Sequence, residues 1–391
     1  MRVGVIGGKL QGVEAAYLAR KAGWHVIVVD RRADVPALGL CDRFVQWDVS
    51  AANDLGRALD GVDLVIPALE NDAALACLNR WTRDNKIPFA FDPAAYGISS
   101  SKIKSNRLFA RAGVATPLAW PGCGFPVVAK PSAGSGSDGV RVFHDPQSLP
   151  VHRTKSTERW VVQEFVPGPT YSLEVIGRPG KYVSLQVTDL AMDPGYDCKR
   201  VVAPTDLTQT LVRDFEKISV TLADELNLNG LMDVEVVLHK DTLKVLEIDA
   251  RLPSQTPTAV YWSRNINMVE LLGDMFVKGT LSNQPIDQPC RGVVYEHINV
   301  SPGRLKVAGE HIMSERGILR VQKEFFGADE AITNYTPGLQ EWIATLIICG
   351  KNRKDAWEKR NRVVANIRER FALEVYRDAT ATEQSQGDLC D

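Results

Sequence analysis

MDVEVVLHKDTLKVLEIDARLPSQTPT, residues 232–258, alternates apolar with acidic side chains across two runs separated by Lys240-Asp241. Successive strand residues point to opposite faces, so the two runs predict a hairpin with one acidic face. Glu235 lies on the first strand. Glu247 and Asp249, two apart, share a face of the second, and Arg251 continues that face. Convergent hard oxygens of this kind suit Mg²⁺ carrying the phosphates of ATP, an ion that typically takes one or two carboxylates and completes its shell with water. Arg251 would neutralise a transferring phosphoryl group or grip a carboxylate. The alternative is a solvated acidic face. The β-branched neighbours and the polar run PSQTPT that follows weigh against it.

The rest of the chain is ordinary globular material: 391 residues, 45% hydrophobic and 24% charged. Its 46 basic and 48 acidic residues leave a net charge of −2, too even to predict a nucleic-acid or anionic-membrane partner. Seven cysteines are scattered without CxxC or zinc spacing and read as reduced thiols. MRVGVIGGKLQG passes straight into a glycine turn, as a first strand does and a signal peptide does not. No apolar stretch reaches the roughly 18 residues that a membrane span needs. A cytoplasmic protein is expected.

From residue 2 to about 92, β-branched runs (RVGVIGG, HVIVVD, FVQW, VDLVIPAL, IPFAFD) alternate with helical segments at 11–22 and 71–84, which predicts a parallel sheet covered on both faces. A helix is expected within 99–113, ending at Gly113. Then come a small antiparallel unit around FPVVAKPS and VRVF, strands near 160–166, 171–177 and 182–190, and a helix over 206–227. The tail 378–391 is polar and without periodicity, and disorder is expected there.

Three further motifs carry chemistry. Gly7-Gly8-Lys9-Leu10-Gln11-Gly12 follows a strand and opens a helix, and Asp30 ends the next strand about 20 residues on, close to the dinucleotide fingerprint. Lys9 stands where the middle glycine belongs. It suggests an anion at the helix N-terminus, with a ligand-free tight turn as the alternative. In AKPSAGSGSDGVRV, Lys130 ends a strand ahead of a loop whose backbone N–H groups, at Ser135, Gly136 and Ser137, could close over phosphates; an unliganded mobile hairpin competes. Lys102 could add a second phosphate contact. In VVQEFVPGPTYSLEV, a strand meets a Pro-Gly bend, where main-chain groups near Glu164, Phe165 and Val166 could read the edge of adenine and Glu164 its amine; an ordinary strand turn is as good a reading.

Taken in order, these features resemble the ATP-grasp superfamily: a lysine near a domain junction, a strand lysine with a Gly/Ser loop, a hinge acid, and an acidic strand pair ending in E-x-D-x-R. The resemblance implies an α/β ATP-grasp fold with a Rossmann-like N-terminal domain (1–96), a central nucleotide lid (97–180) and a C-terminal subdomain (181–377). GGKLQGVEAAYLARKAG, GYDC (195–198), GLMDVEVVL, EIDARLPSQTPTAVYWS and YEH (295–297) are similar to the ligases of pyrrolysine biosynthesis, which join 3-methyl-D-ornithine to the ε-amine of L-lysine.

By that resemblance, Lys9, Asp30, Lys102, Lys130, Ser135, Gly136, Ser137, Glu164, Phe165 and Val166 would serve the nucleotide, and Glu235, Glu247 and Asp249 would face Mg²⁺. Leu10, Gln11 and Glu70 would contact lysine, and Glu174, Asp233, Arg251, Ser254 and Thr256 would hold the ornithine-type substrate. Lys130 and Arg251 would offset charge in the reaction, the substrates would be small molecules, and a homodimer is expected. Tyr171 replaces the ribose-binding glutamate of many such enzymes. Another ATP-grasp ligase, an NAD-dependent oxidoreductase and a non-catalytic nucleotide binder remain as alternatives.

Overall fold

The computed structural model describes residues 1–51, 55–134, 136–137, 139–150, 159–281, 290–314 and 316–381. At the N-terminus, β1 (Arg2–Ile6), β2 (His25–Asp30), β3 (Arg43–Gln46) and β4 (Leu64–Pro67) form a parallel sheet in the order β3-β2-β1-β4. Alternate strand residues enter two cores. Val3, Val5, Val26 and Val28 pack with Tyr17 and Leu18 of the helix Leu10–Lys21. Ile6, Ile27, Val29 and Val65 pack with Leu75 and Leu78 of the helix Asp72–Asn85. Burial on both faces is what a parallel sheet requires. IPFAFD does not form a full strand: it contributes one bridge, Val65 to Phe89, with Pro88 inside the run and Pro93 just after it unable to donate to a ladder.

The helices Pro93–Ser99 and Lys102–Ala112 lead away, the second ending on Gly113 at φ +67, a left-handed cap open to glycine. A three-stranded antiparallel lid follows, with β5 (Val127–Pro131) between β6 (Arg141–Phe143) and β7 (Trp160–Glu164). The remaining strands share one twelve-stranded sheet. Its first part contains β8 (Thr170–Arg178), β9 (Lys181–Ser184), β10 (Thr188–Met192), β11 (Cys198–Ala203), β12 (Gly230–His239) and β13 (Thr242–Asp249). The run 182–190 is therefore two strands. Both pair with β8, at Val175–Ser184 and at Ser172–Thr188, with a jog between them.

The second part contains β14 (Gly292–Ser301), β15 (Arg304–Val307), β16 (Arg320–Lys323), β17 (Glu330–Thr333), β18 (Trp342–Gly350) and β19 (Val375–Arg377). The helix Gln209–Leu226 packs Phe215 and Leu222 against β8 and β12. The helix Arg353–Arg370 covers β14 and β18.

The chain end is better anchored than its composition suggests. Asp378 pairs with Lys199 (2.6 Å), Arg200 (2.6 Å) and Arg360 (3.3 Å), and Arg200 and Arg360 share buried Glu296. The rest of the tail, from residue 382, lies outside the described residues. Cys41, Cys77, Cys123, Cys198, Cys290 and Cys349 are free thiols. No helix among the described residues is long and apolar enough to cross a membrane.

Candidate active site

Strand register builds the centre of the site. Lys240 and Asp241 both take positive φ (48° and 59°), so the β12–β13 turn follows the twist of its strands. It brings Asp233 opposite Asp249 and Glu235 opposite Glu247, while β8 on the other side sets Glu174 against Asp233 and Ser172 against Glu235. Two rows of polar groups thus cross three strands on one face: Glu174–Asp233–Asp249 and Ser172–Glu235–Glu247. Ser172 Oγ donates to Asp233, which links the rows.

Such crowding is electrostatically costly. Burial, and then the neighbouring acids, push Asp233 and Glu235 well above the usual carboxylate range. Burial lifts Asp249 to about 7 against the pull of Arg251. It lifts Glu174 to about 7 as well; this side chain is fully buried, and neither oxygen has a well-formed hydrogen bond, although Thr256 and Ser172 lie close. The Glu235 carboxylate makes no hydrogen bond or salt bridge among the described residues.

Cations approach from three directions. Arg251 Nη2 lies 2.5 Å from Asp249 Oδ2 and 2.5 Å from Glu70 Oε1, which ties the hairpin exit to the N-terminal domain. Lys102 Nζ is 3.1 Å from Glu247 Oε1 and donates to Gly134 O at 2.7 Å. Lys130 Nζ reaches Leu246 O at 3.4 Å; burial holds its ammonium below the usual lysine range, while Glu247 pulls it back up.

These groups surround a cavity of about 540 Å³ between the N-terminal domain, the lid loop and the acidic hairpin. Lys9, Leu10, Gln11, Asp30 and Glu70 line it from the first domain and Gly136 and Ser137 from the loop. Asp233, Glu235, Glu247, Asp249, Arg251, Ser254 and Thr256 line the opposite wall. Lys102, Lys130 and Glu174 stand behind that lining. Ser135 lies outside the described residues.

Two expected contacts take another form. Asp30 accepts from Gly8 N (2.8 Å) and Arg32 N (2.9 Å), so its carboxylate fixes the glycine turn. Gly7, at φ +107, has no room for a side chain there: a β-carbon would stand 2.3 Å from Ala68 O. The hinge strand is present, but Glu164 pairs with Lys244 (2.8 Å) and accepts from Leu118 N (3.2 Å), which commits its carboxylate away from an adenine amine. Glu164, Phe165 and Val166 do not line the cavity.

The sequence reading passed over several groups that the fold brings in. Glu14, fully buried on the helix Leu10–Lys21, accepts from Thr258 N at 2.6 Å. A lone acid in the apolar run GVEAAYLA was its available signal. Glu310 accepts from Ser254 Oγ at 2.7 Å, and Asp197, His311, Arg31 and Arg32 also line the cavity. No local pattern marks these last five.

The lid, the acid-faced hairpin and the parallel-sheet domain define an ATP-dependent carboxylate–amine ligase of the ATP-grasp class, and the ATP-grasp domain family matches residues 99–255. The 3-methyl-D-ornithine–L-lysine ligase of Methanosarcina acetivorans is 34% identical, with 95% of this chain and 99% of that protein covered. Its counterpart in Methanosarcina mazei is 35% identical over 94% of this chain and 95% of its own. The chain belongs to the 3-methyl-D-ornithine–L-lysine ligase family. Among solved structures, the L-amino acid ligase from Bacillus licheniformis shares the fold at TM-score 0.67 and 19% identity, covering 93% of this chain and 97% of that one. The ADP complex of the N5-carboxyaminoimidazole ribonucleotide synthetase purK does so at TM-score 0.69 and 15% identity, covering 93% and 96%.

Proposed function

We propose that this chain joins the carboxylate of 3-methyl-D-ornithine to the ε-amine of L-lysine, with ATP converted to ADP and phosphate, as a step of pyrrolysine biosynthesis. The observation that carries the reading is the convergence of Glu70, Arg251, Asp249 and Glu247 on one cavity, with Lys102 paired to Glu247 behind its wall, in a chain related over nearly its whole length to ligases of that name. The ornithine-type carboxylate attacks the γ-phosphorus, and the bond to the β-phosphate oxygen breaks to give an acyl phosphate and ADP. The amine then attacks the acyl carbon. Phosphate leaves with the C–O bond pair, and the amine proton passes to solvent or a nearby base. No protein nucleophile takes part.

The chain contributes charge and position. Arg251 offsets the approach of two anions, while Lys130 and Lys102 hold the phosphates, with Gly136 and Ser137 above them. Lys9, on the glycine turn that Asp30 fixes, completes the nucleotide side. Glu70 pairs with a lysine ammonium beside Leu10 and Gln11. Glu174, Asp233, Ser254 and Thr256 take the ammonium-bearing acid, which is consistent with buried carboxylates that have no cation of their own.

The donor set also fits Mg²⁺. Glu235 is a half-buried carboxylate that lines the cavity, makes no hydrogen bond or salt bridge among the described residues and feels the Lys130 charge; it is flanked by Glu247 and Asp249, and hard oxygens suit a hard cation. No group of three His, Cys, Asp or Glu side chains among the described residues could hold a metal by itself, so Glu235, Glu247 and Asp249 would need phosphate oxygens and water to complete the shell. When bound, the ion would neutralise phosphate charge. The same reading gives small-molecule substrates, a cytoplasmic location and a homodimer, the last checked by light scattering.

Incubation with ATP, lysine and 3-methyl-D-ornithine should yield the amide by mass together with ADP. ADP release with a different acid–amine pair, and no product from any ornithine, would overturn the assignment.

A further inference from the structure

The helix Thr256–Arg264 opens at the cavity wall without a side-chain cap from its own N-terminus. The N–H groups at the first four positions of a helix, here Gln255 to Thr258, have no partners inside it. Each is accounted for in an unusual way. Thr256 N donates to Ser254 O at 2.9 Å, and Pro257 has no N–H to satisfy. Thr258 N donates to Glu14 Oε1 at 2.6 Å, and the Gln255 N–H reaches the same carboxylate. In a capping box, one side chain at the N-cap serves the N–H three residues on, and a second side chain there serves the N-cap N–H in return. Here a single carboxylate does both, and it comes from the helix Leu10–Lys21 of the N-terminal domain.

The turn held by this cap is strained. Gln255 sits at φ +72 and ψ −61 between Ser254 O and Thr256 N, the hand of γ-turn that L-residues disfavour. Glycine would adopt it freely, so a glutamine there is kept in place by its surroundings. Glu14 fixes its backbone. Glu310, which accepts from Ser254 Oγ at 2.7 Å, lies beside its carboxamide. As a result three consecutive residues, Ser254, Gln255 and Thr256, all line the cavity, whereas an extended segment would turn the middle side chain away. Gln255 Oε1 is buried with no hydrogen-bond partner among the described residues.

We infer that Glu14 is a positioning residue for the ornithine-type substrate: by capping the helix Thr256–Arg264 from the N-terminal domain, it holds the γ-turn at Gln255 and so the three side chains that meet the ammonium-bearing acid. This rests on the ornithine–lysine reading given above. The Gln255 carbonyl is the acceptor that the turn adds for a substrate N–H, a neutral group beside the acids of β8 and β12. Without Glu14, two buried N–H groups lose their acceptor, and nothing opposes relaxation of Gln255 toward an ordinary negative φ. The wall would then lose its middle side chain. Domain docking does not hang on this one contact, because Trp262 Nε1 donates to Tyr17 OH (2.9 Å) and Asn267 Nδ2 to Leu18 O (2.8 Å) along the same helix. The effect of removing Glu14 therefore falls on the turn.

Steady-state KM values for 3-methyl-D-ornithine, lysine and ATP, measured on the wild type and Glu14→Ala, separate positioning from general support of the fold. The alanine variant should raise KM for the ornithine about 10-fold while KM for lysine and for ATP stays within about twofold. Glu14→Gln, which keeps an acceptor for Thr258 N, should bring the ornithine KM back to within about twofold of wild type. Should the alanine variant fold poorly by its melting profile, Glu14→Asp, with its acceptor set back by one methylene, carries the same comparison. Equal rises in all three constants, an unchanged ornithine KM, or a glutamine variant as impaired as the alanine one would overturn the assignment. A wild type that forms no amide from lysine and any ornithine would instead overturn the substrate reading on which it rests.

Discussion

Lys102 Nζ lies within hydrogen-bonding reach of both Glu247 Oε1 (3.1 Å) and Gly134 O (2.7 Å), so a single side chain at the start of a helix joins the acidic hairpin to the lid loop. Neither partner is near it in sequence. Lys102→Met should therefore lower kcat/KM for ATP by about 100-fold, since removal of a buried ionic partner strands Glu247 and loosens the loop together. ADP release at varied ATP concentration is the readout. An unchanged value would separate Lys102 from the nucleotide.

Glu247 is expected to matter for the metal more than for the fold, because its side chain is one-third exposed. Glu247→Ala should raise the Mg²⁺ concentration for half-maximal activity by about 10-fold or more while the melting temperature changes little. Amide formation at the wild-type rate with Mg-ATP would remove the metal assignment.

Arg251 bridges Asp249 and Glu70, 2.5 Å from each. Lysine lacks the forked guanidinium and can serve one of them. Arg251→Lys should raise KM for the lysine substrate by about 10-fold, through loss of the hold on Glu70, with a smaller effect on KM for ATP. Initial rates at varied lysine and fixed saturating ATP measure it. Equal effects on both constants would place Arg251 on the nucleotide side.

The acidic hairpin was legible because its alternation, its Lys240-Asp241 turn and its i, i+2 acids are local signals. Their partner Glu174 was reachable only through the resemblance, since no spacing within the chain reveals that β8 lies next to β12. His311 and Asp197 were illegible for the same reason: a turn and a short 3₁₀ segment meet only after β11 and β14 have paired. IPFAFD has strand composition, but its prolines limit what it can pair with. The polar tail reads as disordered, yet Asp378 is claimed by three cations, a tertiary effect that overrides composition.

Glu14 provides a pH signature. Burial raises its carboxyl from 4.5 to about 7, so between those values the folded state holds a proton that the unfolded state releases. Stability is therefore greatest below about pH 4.5 as far as this group is concerned, falls as pH rises toward 7, and levels off above it. The loss is on the order of 3 kcal/mol at most. Glu14→Gln, which keeps an acceptor for Thr258 N, should flatten that limb, with denaturant midpoints at pH 5 and pH 8 as the comparison.

Asp378 carries the opposite sign. Burial would raise its carboxyl, but Arg200 and Lys199 hold it at about 2, below the usual 3.8. Its contribution is complete above pH 3.8 and is lost as pH falls through about 2. Asp378→Asn should cost about 2–4 kcal/mol at neutral pH, because Lys199 and Arg200 are left buried with less opposing charge. Thermal melts would register it. A change within error would show that Lys199 and Arg200 do not depend on the Asp378 charge.

The two rows of acids crossing β8, β12 and β13 also make ligand uptake a proton-exchange event. Burial and mutual repulsion raise the proton affinity of these carboxylates, so a cation arriving among them favours proton release. The heat of loading the enzyme will therefore depend on the ionisation enthalpy of the buffer, and the slope of that dependence counts the protons that leave as substrate and metal enter.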